Sequence, residues 1–150
     1  MQIRASDTWI EVWTPAKVNL FLEVLGKRAD GFHEIETLML PVSLWDTLYF
    51  QTGPPEAVPA DPVSSPQSES EIHFSCRLSS QLWGAQQQEP LPEGPENTVV
   101  RAVKLLRERT GEIETATVRL VKRIPHAAGL AGGSSDAGAA LVAANMAWRA

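Results

Sequence analysis

The order of the predicted elements indicates an α+β domain. Alternating apolar segments fill the first half of the chain, and an amphipathic helical segment follows them. A further strand then runs into a glycine-rich stretch and a helix rich in small residues. Strands that come first, with helices later, suit an α+β fold better than a doubly wound sheet. A chain of 150 residues is long enough for one such domain with its own core.

The clearest strand pattern is residues 17–25, KVNLFLEVL. Its apolar side chains are predicted to share one face: Val18, Leu20, Leu22 and Val24. The other face carries Lys17, Asn19, Phe21 and Glu23. Shorter strands are predicted at 9–13, 34–42, 46–52, 71–76 and 116–124. The first long strand ends in an Asp-Gly turn at residues 28–31, and a break is expected between Pro41 and Asp46.

Helix-capping residues bound the two predicted helices. Asn97 suits the N-cap of a helix over 98–110, and Gly111 suits its end. The buried stripe of that helix is predicted to be Val99, Val103 and Leu106. A basic stripe, Arg101, Lys104 and Arg107, is interpreted mainly as a solvated face. Ser134 or Ser135 is predicted to cap the final helix.

Two segments show no periodic pattern. Residues 51–70 hold five of the eleven prolines and few residues that could be buried, which predicts a mobile surface loop. Residues 79–95 are predicted to be irregular as well.

Charge and composition exclude several classes of function. The net charge of −5 argues against a general binder of nucleic acid or anionic membranes. Cys76 is the only cysteine, so neither an intrachain disulfide nor a cysteine-based zinc site is expected. Three widely spaced histidines show no metal-ligand pattern, so no metal ligands are assigned. No apolar run resembles a signal peptide or a membrane span, which predicts a cytoplasmic protein.

The last residues, LVAANMAWRA, continue a helical pattern up to Ala150 without a glycine or a polar tail. This pattern predicts that the chain is part of a longer protein.

The glycine-rich stretch IPHAAGLAGGSSDAGAAL, residues 124–141, is the main candidate site. It lacks the Gly-Lys-Ser/Thr of a P-loop. Small residues before a helix N-terminus let phosphate oxygens approach unpaired amides, and Gly129, Gly132 and Gly133 supply that access. Ser134 and Ser135 could donate to phosphate or help to hold Mg²⁺. A plain strand-to-helix connection is the alternative. Asp136 is expected only to stabilise the helix start.

Three segments together resemble the GHMP kinases, the superfamily of galactokinase, homoserine kinase, mevalonate kinase and phosphomevalonate kinase. PHAAGLAGGSSDA, preceded by VKRI, is similar to the central motif of the superfamily. PAKVNLFLEVLGKRADGFHEIETLMLPVSLWDTL resembles the opening of its branch that acts on a cytidyl-linked methylerythritol, and ENTVVRAVKLL resembles the middle helix. The resemblance covers nearly the whole chain except the proline-rich loop and residues 79–95.

The resemblance implies a fold and an activity. Residues 1–150 would be the N-terminal ATP-binding domain, a mixed sheet of ribosomal-protein-like β-α-β topology with helices packed on one face. The C-terminal domain would lie outside the chain. The intact enzyme would transfer a phosphoryl group from ATP, with Mg²⁺, to an alcohol group of the cytidyl substrate in the non-mevalonate route to isoprenoid precursors. The chain alone is predicted to be inactive, because the aspartate base of the family follows the glycine-loop helix.

The resemblance also assigns roles to residues. Lys17 would be catalytic, orienting the acceptor hydroxyl and easing its deprotonation, and Asn19 beside it would contact the substrate. Phe32, where members often have Tyr, would stack on cytosine, and His33 would hydrogen-bond to it. From the residues alone, both are ordinary partly buried or surface positions. The ATP and phosphate contacts would be Pro125, His126, Ala127, Ala128, Gly129, Leu130, Ala131, Gly132, Gly133, Ser134, Ser135, Asn97 and Lys122.

Two other functions remain open at this point. One is a different small-molecule kinase of the superfamily, such as a homoserine kinase. The other is a non-enzymatic binding module, since ribosomal and translation-factor domains share this topology. The predicted partners are a small-molecule cytidyl substrate and a second copy of the chain in a homodimer. Neither nucleic acid nor a membrane is expected as a partner.

Overall fold

The computed structural model describes residues 1–53, 72–79 and 94–149. Within these ranges the strands are β1 (Gln2–Ala5), β2 (Ile10–Lys27), β3 (His33–Thr52), β4 (Ile72–Leu78) and β5 (Ala116–Lys122). The helices are α1 (Thr98–Thr110) and α2 (Gly132–Trp148). This order confirms the predicted α+β class.

The strands form one mixed sheet in the order β1-β2-β3-β5-β4. Neighbours pair antiparallel from β1 to β5. The pair β4–β5 is parallel, with Phe74 opposite Val118. A parallel pair needs a crossover connection, and α1 lies in that connection along the chain. The predicted mixed sheet is therefore confirmed.

The core lies between one face of this sheet and the two helices. The sheet contributes the buried side chains Val12, Leu48, Phe50, Ala116, Val118 and Leu120. The helices contribute Val99, Val103, Ala139, Ala140, Ala143 and Ala144. The alanines let α2 approach closely, and Trp148 closes the end of the core with its ring edge-on to Phe50 at 5.5 Å. Both helices cover the same face, as predicted.

Helix α1 begins and ends where the sequence predicts. The Asn97 side chain accepts a hydrogen bond from the Val99 amide at 2.9 Å, and Gly111 ends the helix at φ 73°. The prediction of a solvated basic stripe is wrong for Arg107. Its guanidinium donates to the carbonyls of Glu112 and Ile113 at 3.0 and 2.8 Å. Arg107 therefore secures the connection after α1.

The predicted serine cap of α2 is wrong. Ala131 is the N-cap residue, in the left-handed region at φ 57°, and no side chain caps this end. Both serines lie inside the helix. The hydroxyl of Ser135 is bonded instead to Thr14 Oγ1 and donates to the Pro15 carbonyl at 3.0 Å. Contacts with β2, far away in sequence, therefore hold the Ser135 side chain, and the first amides of α2 stay without a side-chain cap.

The first half of the chain differs from its prediction in register. Strand β1 was not predicted, and β3 runs unbroken through residues 41–46. The expected break is instead a register shift between Pro15 and Ala16, and further shifts follow Asn19 and Val24. From Asn19 to Lys27 every residue of β2 is exposed, on both faces of the strand. The apolar face predicted for residues 17–25 is therefore not buried: Leu20 is 63% exposed and Leu22 53%.

The predicted loop over 51–70 overlaps β3, since Gln51 is buried and both Gln51 and Thr52 belong to that strand. The rest of that loop from residue 54, and residues 80–93 of the second irregular segment, lie outside the described residues. In the described part of the chain no helix is long and apolar enough to span a membrane.

Candidate functional site

A cavity of about 460 Å³ lies between the start of α1, the end of β5 and the start of α2. Residues 125–134 form much of its wall. The other lining residues are Glu96, Asn97, Thr98, Val99, Leu120, Lys122 and Asp136. Every residue predicted to contact ATP or phosphate lines this cavity except Ser135.

Two helix N-termini meet at this cavity. Thr98 Oγ1, in the first turn of α1, donates to the Gly133 carbonyl in the first turn of α2 at 3.3 Å. The amide of Ser135 donates to the Ala131 carbonyl at 2.9 Å. The amides of residues 132–134 precede this bond in the helix, and α2 has no side-chain cap. An uncapped helix start offers amide donors and a positive dipole end, which suits an anion.

Left-handed residues shape the turn before α2. Gly129 has φ 72°, and the flanking Ala127 and Ala131 have φ 56° and 57°. This conformation costs a residue with a Cβ about 1–2 kcal/mol. The small side chains keep the wall of the cavity low, but two alanines are held in an unfavourable conformation. Other contacts must therefore fix the turn.

A buried ion-pair cluster lies beneath this turn. Lys122 is 5% exposed, and its Nζ donates to Asp46 Oδ2 and to Asp136 Oδ2, the second at 2.6 Å. Lys122 has the strand parity of Val118 and Leu120, which places it on the helix-covered face of the sheet, as the sequence indicates. The two carboxylates compensate its charge there.

Asp46 was not predicted as part of the site. It is fully buried on β3, and its Oδ1 accepts hydrogen bonds from the amides of Arg123 and Ile124 at 2.5 and 2.9 Å. Its position alternates with Leu48 and Phe50, so a charged residue on an apolar face was a signal available in the sequence. A buried carboxylate requires such donors.

The expectation for Asp136 is wrong. It is 2% exposed, pairs with Lys122, and its Oδ1 has no hydrogen-bond partner among the described residues. Burial raises the pKa of Asp136 from 3.8 to about 7, against the opposing attraction of Lys122 and with the help of the Asp46 charge. For Lys122, burial lowers the pKa, but the attraction of the two carboxylates outweighs it and the net shift is upward. One ammonium is thus shared by two acidic groups.

Gly132 packs directly against this cluster. A Cβ on Gly132 would lie 3.0 Å from both Lys122 Nζ and Ile124 Cγ2. On Gly133 the nearest atom would be Thr98 Oγ1 at 3.6 Å, an ordinary contact. Gly132 was predicted only to clear space for phosphate. The structure adds a second reason for a glycine, the close approach of a buried ion pair.

Strand β2, which carries Lys17, is bonded to the turn before α2. The amide of Lys17 donates to the Leu130 carbonyl at 3.0 Å, and Lys17 Nζ donates to Asn19 Oδ1 at 3.1 Å. The bonds of Ser135 to Thr14 and Pro15 support the same junction. The structure therefore places Lys17 and Asn19 together, next to the turn, on the strand that holds it.

The other predicted substrate residues lie at the tip of the β2–β3 hairpin. His33 begins β3 opposite Lys27, and Phe32 is 74% exposed in the turn. The Phe32 amide donates to Asp30 Oδ1 at 3.1 Å, and Arg28 forms an ion pair with Asp30 at 2.8 Å. Neither Phe32 nor His33 lines the cavity, and their roles remain predictions.

The residues around the cavity offer little to a metal ion by themselves. Within the described ranges no group of three or more His, Cys, Asp and Glu could hold one. The Ser135 hydroxyl is already bonded to β2, whereas Ser134 is exposed at the cavity. Mg²⁺ commonly binds to substrate phosphates and water with few protein ligands.

The comparisons with known proteins agree with this geometry. Residues 97–150 match the family described as "GHMP kinases N terminal domain". A curated relative from Synechococcus sp. (strain CC9605), named 4-diphosphocytidyl-2-C-methyl-D-erythritol kinase, is 42% identical over 140 residues, 93% of this chain and 38% of the relative. A relative of the same name from Symbiobacterium thermophilum is 42% identical over 93% of this chain and 40% of the relative.

Solved structures give the same picture. A crystal structure of 4-(cytidine 5'-diphospho)-2C-methyl-D-erythritol kinase has a TM-score of 0.61 and 38% identity, over 91% of this chain and 40% of that one. Homoserine kinase from Cytophaga hutchinsonii, at 15% identity and a TM-score of 0.58 over 99% of this chain and 38% of its own, shows the shared fold alone. The chain spans about 40% of the length of these proteins. The predicted resemblance is confirmed.

Proposed function

We propose, from a chain that carries the fold and sequence signature of the GHMP kinase N-terminal domain, that the intact protein is a small-molecule kinase. It transfers the γ-phosphoryl group of ATP to a hydroxyl of 4-diphosphocytidyl-2-C-methyl-D-erythritol, in the non-mevalonate route to isoprenoid precursors. One observation supports this most strongly. The turn in front of the uncapped α2 is bonded through Leu130 to the amide of Lys17. The main chain of Lys17, the residue proposed to act on the acceptor, therefore lies beside the turn proposed to bind phosphate.

The nucleotide enters the cavity with its phosphates toward α2. The amides of residues 132–134 and the α2 dipole stabilise the phosphate charge, and Ser134 is exposed beside them. Asn97 and Thr98, at the start of α1, also line the cavity and lie on the side of the nucleoside. Mg²⁺ comes with the phosphates and supplies further neutralisation of the transferring group.

Lys17 acts on the acceptor side. Its ammonium is held by Asn19 Oδ1 at 3.1 Å, which limits the freedom of a long side chain. A fixed positive charge beside the acceptor hydroxyl favours the alkoxide and the charge on the transferring phosphoryl group. Lys17 therefore orients and activates the hydroxyl. The proton is accepted by a general base that is none of the residues named here.

The hairpin tip recognises the cytidyl group. Phe32 is exposed, so its ring is free to stack on a base, and His33 next to it can hydrogen-bond to the base edge. The identity of the acceptor is taken from the curated relatives that carry this name at about 42% identity. We expect such a protein, acting on small metabolites, in the cytoplasm. The exposed apolar residues of the hairpin favour a homodimer.

A coupled assay of ADP release tests this function. The purified intact protein is given ATP, Mg²⁺ and either the cytidyl substrate or homoserine. We expect kcat/KM for the cytidyl substrate to exceed that for homoserine by about 10³-fold or more, because the exposed Phe32 ring can stack on cytosine and homoserine has no such group.

Either of two other results would contradict this proposal. Turnover of homoserine but not of the cytidyl substrate would indicate a different kinase of the same fold. If no ADP is released with either acceptor and the protein binds RNA at moderate salt, the protein is a non-enzymatic module.

A further inference from the structure

Asp46 is a charged residue beneath this site to which the proposed reaction assigns no role. It lies on β3 where the pairing with β5 stops, since the last pair is Thr47 opposite Val121. It is fully buried and does not line the cavity. A buried carboxylate is costly unless its bonds are satisfied, so its partners indicate what it does.

Both oxygens of Asp46 are bonded to the end of β5. Oδ2 accepts from Lys122 Nζ, and Oδ1 accepts from the amides of Arg123 and Ile124. These are the residues by which the chain leaves the sheet and enters the turn. Beyond the last main-chain pair between β3 and β5, the side chain of Asp46 thus supplies the hydrogen bonds. These bonds fix the direction in which the chain leaves the sheet.

Lys122 passes this constraint to α2. Its Nζ pairs with Asp136 Oδ2 at 2.6 Å, and the same Nζ lies against Gly132. The two ends of residues 122–136 are therefore joined through one buried ammonium. Between them lie the left-handed residues 127, 129 and 131. This segment keeps its conformation only if both ends are held.

We propose that Asp46 is the positioning residue of the phosphate-binding turn, acting through Lys122 and the amides of Arg123 and Ile124. The inference rests on the proposed kinase function, because it assigns phosphate binding to this turn. Asp46 contacts no substrate in this account. It presets the amides of α2, and a preset site loses less conformational freedom when the nucleotide binds.

The variant Asp46→Asn in the intact protein tests this role. Asparagine keeps the shape but removes one of the two negative charges that compensate Lys122. We expect KM for ATP to rise about tenfold or more, while KM for the cytidyl substrate stays within about twofold. A purely structural role would lower the amount of folded enzyme and leave both KM values unchanged. Asp7→Asn, at an exposed position, is the matched control.

Hydrogen exchange without nucleotide gives a second readout. In Asp46→Asn, exchange of the hydrogen-bonded amides of Arg123, Ile124 and Ser135 should accelerate about tenfold or more relative to the amides of α1, whereas Asp7→Asn should not change it. Unchanged exchange in this segment would overturn the proposal. A wild-type protein that binds no nucleotide would remove the kinase function, and the exchange comparison would still decide the role of Asp46.

The double variant Asp46→Asn/Lys122→Gln covers the case in which the single variant does not fold. It removes the buried ammonium together with one of its two carboxylates, and it loses the same connection. If Asp46 acts through Lys122, the double variant should bind ATP about as weakly as Lys122→Gln alone. Losses that add independently would contradict the proposal.

Discussion

The turn over residues 122–136 and the outer part of the β2–β3 hairpin, residues 17–40, differ in how they are held. The Asp46–Lys122–Asp136 cluster beneath the turn bonds to both of its ends, and β2 bonds to its middle at Leu130. The hairpin outside Lys17 is held mainly by its own pairing, and its apolar side chains are exposed. Phosphate binding needs preset amides, whereas an exposed hairpin can adapt to a long acceptor.

This contrast predicts that variants of the two regions will affect different quantities. Changes in the turn should alter ATP affinity or folding. Changes on the hairpin should alter catalysis or acceptor affinity without loss of stability.

The largest effect is expected at Lys17, where the two regions meet. Lys17→Ala should reduce kcat about 10²–10³-fold and change both KM values by no more than about twofold, because the charge matters most as the alkoxide develops. Steady-state kinetics of the intact protein measure this. Lys104→Ala, exposed on α1, is the control. A rise in KM alone would mean that Lys17 only binds substrate.

A smaller effect is expected at Gly132. Gly132→Ala should lower the free energy of unfolding by about 1–3 kcal/mol, because its Cβ would meet Lys122 Nζ and Ile124 Cγ2 at 3.0 Å. Gly133→Ala meets only Thr98 Oγ1 at 3.6 Å and should be neutral or stabilising. Denaturant unfolding of both variants measures the difference. Equal stabilities would show that the ion pair does not restrict this position.

The most gradual effect concerns pH. Burial raises the pKa of Asp136 in the folded protein to about 7 from 3.8. The folded state therefore holds this proton more tightly than the unfolded state. Its contribution to stability is complete below about pH 4 and is lost as the pH rises through about 7, with a slope of at most about 1.4 kcal/mol per pH unit.

Asp136→Asn removes this titration. Thermal unfolding between pH 5 and pH 8 should therefore depend less on pH in the variant than in the wild type. An identical pH dependence in both proteins would contradict the raised pKa.

Local signals in the sequence were sufficient for several elements. Asn97 and Gly111 cap α1 through contacts within a few residues, so the sequence alone predicts them. The lack of a serine cap on α2 could not be predicted in this way, because the Ser135 hydroxyl bonds to Thr14, 121 positions away. The register shifts after Pro15, Asn19 and Val24 depend on the partner strand, which periodicity along one strand does not show.

The ion-pair cluster lies between these cases. Asp46 alternates with Leu48 and Phe50, and Lys122 alternates with Val118 and Leu120. Opposite charges on the apolar faces of two strands indicate a buried pair, provided that the strands are known to be neighbours. Pairing of β3 with β5 supplies that information. The sequence thus contained the residues of the cluster, and the topology was needed to join them.

The separation of the two regions is tested most directly at Phe32. In the intact protein, Phe32→Ala should raise KM for the cytidyl substrate about 5- to 100-fold, because stacking on a base contributes about 1–3 kcal/mol. KM for ATP should stay within about twofold of the wild type, and Ile35→Ala, exposed on the same hairpin, should change neither value by more. An equal rise in both KM values, or no change in either, would contradict the assignment of acceptor binding to the hairpin and of ATP binding to the turn.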